Sequence, residues 1–131
     1  METCSPRSSP FSDGVKLKLS DEDFADQATK QEYQSGIGSL IYGIQGTRSD
    51  IAYSISLLSR FLSKPTNEYY HLFKDILRYL RGSIKQGIVY SRGSQQGLVA
   101  FTDADHAGKT LAEDGKSTSG YVIFLAEGPI Y

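Results

Sequence analysis

The stretch Leu98-Val99-Ala100-Phe101-Thr102-Asp103-Ala104-Asp105-His106-Ala107-Gly108 decides how the second half of this chain folds. An apolar run leads into two carboxylates and then into a glycine, as a strand does when it leaves a core and ends in a polar loop. Side chains alternate along a strand, so Val99, Phe101, Asp103 and Asp105 share one face, and the carboxylates gather at its far end. Two carboxylates at a strand end suit a divalent cation, but hard-cation sites for phosphoryl chemistry collect more oxygen ligands than this. Only 26 residues follow Asp105, so the expected site is half built.

Working outward, Ser117 to Leu125 contains the β-rich run Tyr121-Val122-Ile123-Phe124-Leu125, bounded by Gly120 and by Gly128-Pro129. It is expected to pair antiparallel with Leu98–Asp103 across a polar loop from His106 to Lys116. If the sheet is interrupted, one edge of the Tyr121–Leu125 strand and its apolar face lie open, whereas an independent module hides both. Upstream, Gly87 to Tyr90 reads as a short strand and Ser91 to Gly97 as a turn.

The segment before these strands is helical in pattern. Ile37, Leu40, Ile41 and Ile44 recur at helical spacing, while Gly36, Gly38 and Gly43 each cost about 1 kcal/mol relative to alanine inside a helix. Glycines there imply that a second helix approaches closely. Ile51, Ile55, Leu58 and Leu62 form the stripe of a next helix, with Ser49 or Asp50 as its cap and Pro65 at its end. A third helix, capped by Thr66 or Asn67, runs to Arg81, with Gly82 expected in the left-handed conformation at its end. In this helix Tyr69, Leu72, Phe73, Ile76 and Leu80 cover one side, and Lys74, Arg78 and Arg81 fall opposite. Residues 1–32 read as a mostly unstructured linker, with only Val15–Leu19 alternating like a strand.

Charge is segregated. Lys and Arg against Asp and Glu give −3 for residues 1–32, 0 for 33–59, +5 for 60–92 and −3 for 93–131. The chain as a whole carries −1, which is not the balance of a dedicated nucleic-acid binder. The basic row Lys74, Arg78 and Arg81, with Tyr70 and His71 beside it, suits a phosphate backbone: the cations release counterions and an aromatic edge packs on sugar or base. A solvated helix face that binds nothing is the plain alternative.

Other features narrow the field. With 131 residues and 39% hydrophobic content the chain can build one core or two partial ones. No apolar run approaches the roughly 20 residues of a membrane span, and the polar, proline-bearing start lacks the apolar stretch of a secretory signal. The single Cys4 can form no internal disulfide and has no base partner, which fits an intracellular setting in cytoplasm or nucleus. His71 has no second histidine or cysteine at metal-binding spacing. From the residues alone, Asp103 and Asp105 are open to several readings. They suit a D-x-D transfer motif, a magnesium or manganese site with His106, or aspartates that cap a turn.

Seven motifs occur in one order: Y-Q-S-G-I-G-S-L-I-Y from Tyr33, T-R-S-D-I-A-Y from Thr47, L-S-R-F-L-S-K-P-T from Leu58, I-L-R-Y-L-R-G from Ile76, G-I-V-Y-S from Gly87, T-D-A-D-H-A-G from Thr102 and K-S-T-S-G-Y-V from Lys116. Covering roughly three quarters of the chain, they resemble the Pol polyprotein of copia-type retrotransposons across the join between reverse transcriptase and ribonuclease H. Ser49 stands where that family usually has proline, and His106 where it usually has tryptophan.

The resemblance implies an α+β chain. Residues 33–86 would form a thumb-like helical region of about three helices, and 87–131 the first antiparallel strands of an incomplete ribonuclease H-like fold. It implies that Lys74, Arg78, Arg81 and Tyr70 grip a template-primer duplex, and that Asp103 is the first catalytic aspartate, with Asp105 a weaker aid to a metal. Magnesium is the family's cofactor, and no tight binding of it is expected here. The paired polymerase aspartates would precede the Val15 to Tyr33 linker, with nothing here to replace them, and the remaining ribonuclease H carboxylates would lie downstream of Tyr131. Glu113, Asp114 and Glu127 match none of them, so neither activity is expected of this chain alone. The expected partners are an RNA/DNA hybrid or duplex and the rest of Pol, with no membrane. A non-catalytic α+β module that binds nucleic acid or protein is the alternative.

Overall fold

In a computed structural model, residues 4–11, 25–92, 97–105 and 117–130 are described. The fold is α+β, with three α-helices and a three-stranded antiparallel sheet among the described residues. The chain divides into two compact units, Met1–Lys85 and Gln86–Tyr131. Val15–Leu19 and the loop His106–Lys116, including Glu113 and Asp114, lie outside the described residues.

In the first unit, α1 spans Gln27–Gly46. It starts inside the stretch read as linker, because Asp26 accepts a hydrogen bond from the Thr29 amide at 2.7 Å and so satisfies one of the free N–H groups of the first turn. Tyr33 and Ile37 are its fully buried residues, whereas Ile41 is 40% exposed. The buried Tyr33 hydroxyl donates to the Leu58 carbonyl at 2.7 Å, and burial pushes its pKa well up. Gly36 is the glycine that close packing requires, since a Cβ there would stand 2.2 Å from Cζ of Phe73. Gly38 and Gly43 face open space, so the expectation of close approach holds at one glycine of the three.

A 3₁₀ turn, Ser49–Ile51, leads into α2, Ala52–Ser59. Neither Ser49 nor Asp50 caps it, because the Asp50 carboxylate is taken by Arg48 and Tyr79. The stripe is buried at Ile51, Ile55 and Leu58, joined by Leu57 and Phe61. The helix ends at Ser59 rather than at Pro65. There the Arg60 and Phe61 amides donate to the carbonyls of Leu57 and Leu58, tightening the chain into three-residue turns. Leu62 continues the spacing but lies outside the helix.

Helix α3 spans Asn67–Gly82 with Thr66 as its N-cap. Tyr69, Leu72, Phe73 and Ile76 are buried, closing a core in which Phe73 meets Tyr33 edge-on at 5.9 Å and Tyr69 lies 4.3 Å from Phe61 between ring centroids. Gly82 is the last helical residue rather than a left-handed cap. Ser83 follows at φ −114°, and its amide donates to the Tyr79 and Leu80 carbonyls.

The second unit is built on β1, Val99–Asp105, and β2, Thr118–Leu125, paired antiparallel with Val99 opposite Phe124 and Asp105 opposite Thr118. A short β3, Gly128–Pro129, makes the sheet order β1-β2-β3. The central strand is β2, with β1 along one edge and β3 on the other at Phe124 and Leu125, so the second edge of Tyr121–Leu125 is paired at its end rather than open along its whole length. Among the described residues, 87–90 join no ladder, where the sequence predicts a short strand. They lie against β3 instead, with the Tyr90 hydroxyl donating to the Pro129 carbonyl at 2.9 Å and the Ser91 amide to Ala126. The turn after β2 places Ala126 and Glu127 at φ 50° and 66°, as a two-residue hairpin of the type I′ kind demands. No helix among the described residues is long and apolar enough to cross a membrane.

Candidate nucleic-acid interface

The exposed side of α3 is set by its own periodicity: with Tyr69, Leu72, Phe73 and Ile76 in the core, residues 70, 71, 74, 78 and 81 are turned outward. Lys74 sits with Nζ 4.4 Å over the ring of Tyr70, whose hydroxyl donates to Glu32 of α1 at 2.6 Å. A cation over a ring face in this arrangement is worth about 0.5–1 kcal/mol near water. It also fixes both groups expected to meet a backbone, since Tyr70 is held by Glu32 and Lys74 by Tyr70. His71 is exposed beside them.

Further along the helix the row is less free than its sequence implies. Arg78 pairs with Asp75 one turn back at 2.8 Å, and Asp75 also binds Arg7. Arg81 donates to the carbonyl of Cys4 and approaches its Sγ at 3.4 Å. Proximity to that guanidinium lowers the Cys4 thiol pKa. Residues 4–7 therefore hold α3, and Cys4 does have a charged neighbour. Neither Arg7 nor Cys4 carries a signal in the sequence that would place it here. Asp75 was visible at i, i+3 from Arg78, and its effect is to neutralise part of the row.

A second polar cluster joins α3 to the turn before α2. Arg48 grips Asp50 through Nε and Nη2 at 2.9 and 2.8 Å and reaches the Ser83 hydroxyl at 2.6 Å, and Tyr79 donates to the same carboxylate at 2.7 Å. The Arg48 guanidinium holds the Asp50 carboxyl below the usual carboxylate range, with Tyr79 adding to the effect. This network is structural: it fastens the end of α3.

In the second unit, Asp103 is exposed near the end of β1, opposite Gly120. The glycine presents no side chain across the ladder, so the carboxylate meets no neighbour from that position. Asp105 stands two residues on, opposite Thr118. Among the described residues no three histidine, cysteine or acidic side chains come together to hold a metal ion. A site for magnesium with two cations about 4 Å apart needs more carboxylates than that, so the described residues do not fit it.

Curated relatives align along 99% of the chain. The retrovirus-related Pol polyproteins from transposons RE2 and RE1 of Arabidopsis thaliana are 36% and 38% identical over 130 residues, and that from transposon TNT 1-94 of Nicotiana tabacum is 36% identical over 135. The chain belongs to the copia-type retrotransposon Pol family. This Pol segment spans 9%, 8% and 10% of the length of those three relatives, in the order named. No protein-family model and no solved structure matches it.

Proposed function

We propose that this Pol segment carries the end of the reverse-transcriptase thumb and the opening strands of the ribonuclease H domain, and that it contacts the backbone of an RNA/DNA hybrid through α3. The reading is supported by the outward row on α3. Lys74, Arg78 and Arg81 share one side, with Tyr70 and His71 at its border, and each cation that meets a phosphate releases counterions. Asp103 at the end of β1 is the remnant of a catalytic position, not a working site: hybrid cleavage needs several converging carboxylates. The segment alone neither copies nor cuts nucleic acid, binds magnesium only weakly, and works inside the cell with the rest of Pol.

Fluorescence anisotropy with a labelled RNA/DNA hybrid tests this. Weak, salt-sensitive binding is expected, lost when Lys74, Arg78 and Arg81 all become glutamine. Binding that survives the triple substitution contradicts it, and so does robust hybrid cleavage abolished by Asp103→Asn.

A second reading, a protein-binding α+β module, is favoured by the apolar side chains that the sheet unit exposes, among them Phe101 at 61%, Tyr121 at 57% and Leu98 at 67%.

A further inference from the structure

The outward side of α3 that would meet a phosphate backbone is in contact with another part of the same unit. Residues 4–7 run across its last two turns. Arg81 donates from Nη1 to the Cys4 carbonyl, Arg7 pairs with Asp75, and the Arg7 amide donates to the Arg78 carbonyl at 3.4 Å. The contact is close: a Cβ on Gly82 would stand 2.9 Å from the Arg7 carbonyl oxygen and 3.1 Å from Cβ of Pro6. Glycine is the poorest ordinary helix former, and here its missing Cβ is what admits the crossing segment.

The chemistry of the contact resembles that of the ligand it displaces. The Cys4 carbonyl offers Arg81 the acceptor that a phosphate oxygen would offer, and the thiol adds a second polar atom at 3.4 Å. Lys74 lies outside these contacts, so part of the basic row stays open while the segment is docked.

We infer that Cys4–Arg7 is an autoinhibitory strap that competes with nucleic-acid phosphate for the C-terminal half of the basic side of α3. The inference rests on the proposed nucleic-acid role. Ligand and strap exclude each other at Arg81, so whatever lifts the strap tightens binding, and bound nucleic acid lifts the strap by the same factor.

The test uses the full chain and Gly82→Ala, which expels the strap without changing any charge. Circular dichroism confirms that the helices remain. Anisotropy with a short labelled RNA/DNA hybrid is expected to show about fivefold tighter binding, with a log K against log salt slope steeper by about one. Arg7→Ala is the second variant. It removes a positive charge, so simple charge loss weakens binding, whereas release of the strap tightens it.

An independent readout follows from Cys4, the single cysteine. The pH midpoint for its alkylation by iodoacetamide should rise in Gly82→Ala, toward the ordinary thiol value of about 8.5, and should rise likewise when excess hybrid is added to the unaltered chain. No hybrid binding by either protein overturns the nucleic-acid reading and the strap's role with it. Unchanged or weaker binding by Gly82→Ala alongside a shifted thiol midpoint overturns the strap alone.

Discussion

The Tyr79 hydroxyl donates to the Asp50 carboxylate at 2.7 Å, joining the last turns of α3 to the turn that opens α2. Arg48 completes the clamp by donating to both oxygens of the carboxylate, sharing Oδ2 with Tyr79, and lies 5.6 Å from the centre of the Tyr79 ring. Charge-assisted, two-pronged contacts of this kind hold geometry better than single hydrogen bonds do. Their worth here is reduced by solvent, because the Asp50 side chain is 37% exposed.

A pH dependence follows. Arg48, then Tyr79, lowers the Asp50 pKa below its unfolded value of about 3.9. The associated stability is therefore fully present above that value and is lost as pH falls through the folded one. Urea midpoints measured from pH 6 to pH 2 should fall more steeply for the unaltered chain than for Asp50→Asn. Parallel curves would remove Asp50 from the account.

Gly36→Ala sets helix propensity against packing. Alanine gains about 1 kcal/mol in a helix, but its Cβ would lie 2.2 Å from Cζ of Phe73 in a packed core. Overpacking costs about 1–3 kcal/mol. Net destabilisation of about 1 kcal/mol is expected from chemical unfolding, while Gly38→Ala, which meets nothing within 4 Å, should stabilise. Equal effects at the two positions would contradict the close approach of α1 to α3.

The turn after β2 carries strain that can be relieved. Ala126 and Glu127 both sit at positive φ, where a non-glycine residue costs about 1–2 kcal/mol. Replacing them with Asn and Gly should slow amide exchange at Ile130, which donates to the Ile123 carbonyl at 2.8 Å. Faster exchange there would mean that the turn is not held as described.

Thr66→Ala should destabilise α3 by about 0.5–1 kcal/mol, the lower part of the range for lost caps. The reason is the long reach of the bond, 3.4 Å from the Tyr69 amide to the hydroxyl. A cost above 2 kcal/mol in thermal unfolding would show that Thr66 does more than cap.

Helix α3 was readable because its two sides differ so sharply: Tyr69, Leu72, Phe73 and Ile76 fell into the core, and Thr66 capped it. The antiparallel pairing of β1 with β2 was readable from alternation and bounding glycines. Where polar residues formed regular structure, periodicity was silent, and Gln27–Glu32 began a helix that only the Asp26 cap could have announced. Leu62 prolonged an apolar spacing beyond the helix that produced it. Ala126-Glu127 took up a turn that Asn-Gly would have advertised, so β3 went unread. At the candidate interface the row Lys74, Arg78 and Arg81 was visible. Its engagement by Cys4 and Arg7 was not, because contacts between distant residues leave no periodic mark, whereas Asp75 stands one turn from Arg78.

The salt dependence of hybrid binding tests the central claim most directly. If α3 meets a phosphate backbone, log K should fall linearly with log salt, and replacing Lys74, Arg78 and Arg81 with glutamine should flatten the slope by about two to three. A slope that is the same in both proteins would contradict the assignment of α3 as the nucleic-acid interface.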